Sequence, residues 1–280
     1  MVPDSFTSCW TKLSWGRTHL AKLEQALSVI ESARPYSVVF DDADEAGRRV
    51  MKIGPIDTKG IDEVSLRIGD VVHHLRSALD HFAYVVSGGN SLTEEARLQV
   101  SFPVWRHAPA DFQMSSWESL VRRRMKGASG DLQKALYDLQ PYKGGDDEDI
   151  WALDFLNNAD KHRVLIALAG GFHYWSTRSE DWSREHLVTT LGERWVSRCY
   201  GKVRFQVASV PDDFKAFPLE TGDVLTTFPV GAYNEARQPD FPVSIVLGEP
   251  DILREKETIL TLTRLADSVE NTLKRLVPLV

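Results

Sequence analysis

Between Ile61 and Ser87 the chain places Arg67, Asp70, His74, Ser77 and His81 at steps of three and four residues. On a helix that spacing puts all five on one stripe. An imidazole that titrates near neutrality can move protons, a carboxylate can orient it, and a guanidinium can hold an anion. Arg76 and Asp80 form an i,i+4 pair on a separate flank. A second polar set lies in Asn157, Asp160, Lys161, His162 and Arg163, within the segment NNADKHR.

Two chemistries fit these residue types. Asp70 and His74 lie one helical turn apart, with His81 two turns beyond, so Asp160 and His162 from a facing helix would complete a His and carboxylate metal set of the kind built in bundle cores. The nearby Arg67, Arg76 and Arg163 repel a cation, so no cofactor is expected. The other chemistry is metal-free phosphodiester cleavage, with His as proton carrier and Arg as the stabiliser of developing charge. A non-enzymatic binding or structural role, in which the buried polar cluster fixes helix register, is the alternative to both. Two plainer readings stand beside them. Charged residues opposite an apolar face form a solvated helix face, and Asp160 with Arg163 form an intrahelical i,i+3 pair.

The sequence from Arg76 to His81, RSALDH, is an R-x4-H on a helix and resembles the signature of HEPN-type ribonucleases. That resemblance implies a small helical bundle that cuts RNA without metal, using Arg76 and His81, often across two protomers of a homodimer. Arg67 with His73 or His74 fits the same loose spacing. On an ideal helix Arg76 and His81 point about 140° apart, which opposes a joint role within one chain. On a wider scale LRSALDH, FPV, LQPY and NNADKHR together resemble a group of uncharacterised bacterial and phage proteins over roughly residues 60 to 170. This likeness implies that the two polar helices pair.

The elements that must position these groups follow from periodicity. Ile68, Val72, Leu75, Leu79, Phe82 and Val86 give the central helix an apolar face, from which the polar stripe lies about 140° away and Arg76 is displaced. Helices are also expected over 11–33, 110–125, 131–139, 149–168 and 252–276. Phe155, Leu156, Ala159, Ile166 and Ala167 define the expected inner arc of the NNADKHR helix, leaving Asp154, Asn157 and Lys161 outside. A hairpin is expected over 37–53, and strands over 187–191, 195–200, 203–210, 224–228 and 243–247. The expected fold class is therefore α+β. A helical bundle over 1–170 carries the small hairpin, a β-rich antiparallel segment over 171–250 is inserted, and the helix of 251–280 returns to the bundle.

Composition limits the rest. The 280 residues are 42% hydrophobic and 26% charged, which is ordinary for a globular protein. The net charge of -7 opposes broad binding to nucleic acid or an anionic membrane. Arg122, Arg123, Arg124 and Lys126 form the dense basic run, either an RNA phosphate contact or a solvated helix end. Cys9 and Cys199 suggest no disulfide framework. The opening MVPDSFTSCW lacks the pattern of a signal peptide, and no apolar run reaches membrane-spanning length, so a cytoplasmic protein is expected. Walker, dinucleotide-glycine, CxxC, HExxH and GxSxG motifs are absent from the sequence.

Overall fold

Val64, Ile68, Val71, Val72, Leu75, Ala78, Leu79, Phe82, Ala83 and Val86 are all buried along one helix, Ile61–Val86. This helix, α2, organises the bundle in the computed structural model, which describes residues 4–33, 35–41, 47–57, 59–105, 114–162, 168–172, 220–229, 243–247 and 257–280. The buried arc is wider than the expected stripe because Val71, Ala78 and Ala83 are covered too. Around α2 stand α1 (Thr7–Ser32), α6 (Glu148–His162) and α7 (Thr258–Leu276), with α3 (Glu94–Arg97), α4 (Met114–Arg124) and α5 (Gly130–Leu139) between α2 and α6 in the chain.

Each helix earns its place by a spaced apolar face. In α7, Leu262, Leu265, Ala266, Val269, Leu273 and Leu276 are fully buried, the three- and four-residue steps of an amphipathic helix. In α1 the same role falls to Cys9, Leu13, Leu20, Leu23 and Leu27. Gly16 sits between them, and a Cβ there would lie 2.9 Å from Leu75 Cδ2 and 3.6 Å from His74 Cβ. The glycine thus lets α1 approach α2 beside His74. At the end of α2, Gly127 has no room for a side chain, which would run into the carbonyl of Val86.

The strands are β1 (Tyr36–Phe40), β2 (Arg48–Ile56), β3 (Leu168–Phe172), β4 (Val224–Pro229) and β5 (Val243–Leu247). β2 is central in an antiparallel sheet of order β1-β2-β4, and β3 pairs with β5. The expected hairpin is present, and its second strand goes on to pair with β4. Between α6 and α7 the regular elements among the described residues are strands, so the fold is α+β. The strands expected over 187–191, 195–200 and 203–210 lie outside the described residues.

The chain divides into two compact units. The first comprises residues 1–27, 61–167 and 247–280; the second comprises 28–60 and 168–246. The first holds the bundle and the polar groups of the candidate site, and the second holds the β1-β2-β4 sheet. No helix among the described residues is long and apolar enough to cross a membrane.

One partly buried carboxylate fastens the bundle. Asp147, just before α6, accepts hydrogen bonds from Ser268 Oγ at 2.6 Å and Thr272 Oγ1 at 3.1 Å, both on α7. Burial pushes its pKa up, against the lowering effect of the two hydroxyls. The folded protein therefore holds this proton more tightly than the unfolded chain does, and the site stabilises the fold increasingly as pH falls through the raised pKa. The gain is complete below the ordinary carboxylate value of about 4. Urea unfolding at neutral pH and near pH 4 should show wild type gaining stability on acidification relative to Asp147→Asn. A constant difference between the two proteins would rule this coupling out.

Candidate functional site

Arg76 is the one buried charged residue among the described candidate residues. Its side chain is 7% exposed. Nε lies 3.0 Å from Asp154 Oδ1 on α6. Nη2 donates to the carbonyl of Phe102 at 3.0 Å. Nη1 lies 3.2 Å from Asp80 Oδ1, one turn along α2. That last contact has ion-pair distance without hydrogen-bond alignment, so Nη1 makes no directed bond. Asp80 also accepts from the Phe102 backbone N–H at 2.9 Å, and Asp154 accepts from Asn158 Nδ2 at 3.0 Å. The guanidinium thus joins α2, α6 and the segment before α4.

This corrects two expectations. Arg76 is displaced from the centre of the apolar face, but the buried arc extends far enough around α2 to enclose it. Asp154 and Asn157 were expected on the outer side of α6, yet Asp154 faces Arg76 and Asn157 is buried. The inner face of α6 is set by Ile150, Leu153 and Leu156, all buried, whereas Phe155 is exposed. Asp154 follows Ile150 by one turn and so shares that face.

The polar stripe of α2 is divided. Arg67 turns back along its own helix to Glu63 at 2.7 Å. Asp70 is largely exposed, and its Oδ2 lies 3.7 Å from His19 Nδ1 on α1. His74 packs against His19, with ring centroids 4.9 Å apart, and against His73 at 5.8 Å. Its Nδ1 is shut off from solvent and has no hydrogen-bond partner. Burial, then Lys12, His19 and His73, hold the His74 pKa below its ordinary value, and Asp70 opposes them. Ser77 Oγ sits 3.5 Å from His73 Nε2. His81, half-buried, is also held low, by burial first and Lys12 second, against Asp80. Both imidazoles are therefore shifted toward the neutral form.

On α6, the carboxylate of Asp160 lies against α2 at Gly69, where a Cβ would come within 2.7 Å of its Oδ1. The expected approach of the two polar helices thus occurs at Gly69. The backbones of Lys161 and His162 are helical, their side chains lie outside the described residues, and so does Arg163. In the basic run, Arg122 pairs with Glu118 at 3.1 Å. No three His, Cys, Asp or Glu side chains are grouped to hold a metal ion among the described residues.

Sequence reasoning overlooked the contribution of α1. His19, Lys12 and Trp15 fall on its polar positions, and nothing in α1 alone distinguishes them from a wet face. The available signal was Gly16, an interior helix glycine that weakens a helix unless close packing requires it. Comparisons with family models, with curated proteins and with solved structures found no match to this chain. The class defined by these features is an α+β protein whose helical unit carries two aspartates around the buried Arg76 on one side of α2 and a histidine group on another.

Proposed function

We propose that this chain is a non-catalytic binding protein in which Arg76 fixes the register of α2 against α6. The observation that carries the reading is the enclosure of the guanidinium by Asp154, Asp80 and the Phe102 carbonyl. A catalytic arginine must reach the reacting phosphate, and this one is spent on three protein partners. Buried ionic groups of this kind set a unique packing arrangement. Purified protein, freed of contaminating nuclease, should leave single-stranded RNA intact in the presence of EDTA and equally with added divalent metal. Cutting that His81→Ala abolishes would sink this reading.

A second reading keeps the expected HEPN-like chemistry and is favoured by His81, whose neutral ring can accept a proton. In that reading the protein is a homodimeric RNA endonuclease, His81 takes the proton from a ribose 2′-hydroxyl, and Arg76 positions the helix. The products would carry 2′,3′-cyclic phosphate ends and form without metal. Both readings place the protein in the cytoplasm, a setting supported by the free, buried thiol of Cys9.

A further inference from the structure

We propose that Lys12, His19, His73 and His74 form a site for the phosphate group of a nucleoside monophosphate, with Trp15 at its rim to stack on the base. The proposal rests on the reading of this chain as a binding protein, and it is centred on His74, about 160° around α2 from Arg76.

The first support is convergence. Three imidazoles and an ammonium come from two helices that Gly16 allows to pack closely. His19 and His74 are in ring contact, His73 adjoins His74, and Lys12 is near enough to depress the protonation of His74. The second is an unpartnered polar atom, because the buried His74 Nδ1 has no hydrogen-bond partner and such an atom calls for an explanation. The third is charge. The charged and titratable groups that act on His74 are Lys12 and His19 from α1 and His73 and Asp70 from α2, and Asp70 is the single acid among them. An incoming dianion would compensate the cations and favour protonated imidazoles, which then donate to phosphate oxygens.

The rim fits a base. Trp15 is 50% exposed, and its ring lies 6.0 Å from that of His19. Exposed aromatic faces stack on nucleobases without sequence preference. Asp70 separates an anion from a cation as the occupant. It would repel phosphate, and it would help to hold a metal ion.

The test is calorimetric titration of the full chain at pH 6.0 and pH 7.5 with inorganic phosphate and with AMP, repeated on variants. We expect both ligands to bind, more tightly at pH 6.0, with AMP several-fold tighter through stacking on Trp15. Trp15→Ala should remove the advantage of AMP and leave phosphate unchanged. His74→Gln and Lys12→Ala should each weaken both ligands by about tenfold, the loss of one charge-assisted contact. Asp70→Asn should tighten both. His74 is partly buried, so Lys12→Ala serves as the control that does not threaten the core. Absence of heat with both ligands, binding indifferent to His74→Gln and Lys12→Ala, or weaker binding in Asp70→Asn each overturns the site. Failure here leaves the RNA assay above unaffected, and RNA cutting would refute the non-catalytic reading without touching this binding result.

Discussion

Arg76→Ala should cost the protein about 3–5 kcal/mol of stability, the usual penalty for removing one member of a buried ionic group. The loss has a definite origin. Without the guanidinium, Asp154 keeps a mostly buried carboxylate held by Asn158, and the Phe102 carbonyl loses its donor. Asp80 suffers less, since it is more exposed and still accepts from the Phe102 N–H. Arg76→Lys should recover only part of the loss, because one ammonium cannot replace a planar fork aimed at three partners. Arg76→Met combined with Asp154→Leu should be more stable than Arg76→Ala alone, since apolar replacement of both partners removes the stranded charge. Urea midpoints at constant m-value would measure all three. A destabilisation below about 1 kcal/mol for Arg76→Ala, the range of an exposed pair, would show that the cluster does not hold the bundle.

The second large effect belongs to Phe82. Its ring is fully buried on α2, stacked on Phe6 at 5.7 Å and tilted against Phe102 at 6.4 Å. Phe82→Ala should lose about 3–5 kcal/mol through lost transfer energy and the cavity that remains. Phe82→Leu, which keeps more of the volume, should lose much less. Because Phe102 supplies both a ring to this core and backbone groups to Arg76 and Asp80, Phe82→Ala and Arg76→Ala should not add independently. A double-mutant cycle would measure the coupling, and strict additivity would contradict a shared role for Phe102.

The elements were largely legible because their signals are local. The three- and four-residue steps of α2 and α7, and the β-prone runs at 48–53 and 224–228, report on residues close in sequence. What escaped was tertiary. Arg76 sits at the edge of an apolar face, and only the breadth of coverage by α6 and the Phe102 segment decides whether that edge is wet. Asp154 was misplaced because the inner arc of its helix was anchored on Phe155, Ile166 and Ala167, whereas Ile150 and Leu153 set the face. His19 joined no motif, and its place beside His74 depends on helix packing at Gly16. The RSALDH pattern was visible, but the burial that commits its arginine to Asp154 and Phe102 was not.

The pairing of β2 with β4 has a consequence for synthesis. Arg48 donates to Thr227 Oγ1 at 2.5 Å across 179 residues of chain, and the whole bundle segment 61–167 lies between these strands. On the ribosome β2 can pair with β1 soon after both emerge, but its other edge stays unpaired until β4 has been made. At typical elongation rates of about 5–20 residues per second, that interval lasts from roughly ten seconds to more than half a minute. During it β2 presents an open strand edge, which templates association with other chains. Arg48, Arg49 and Lys52 give that strand a cationic character, the kind of charge that discourages edge-to-edge contact while the nascent sheet waits for its third strand.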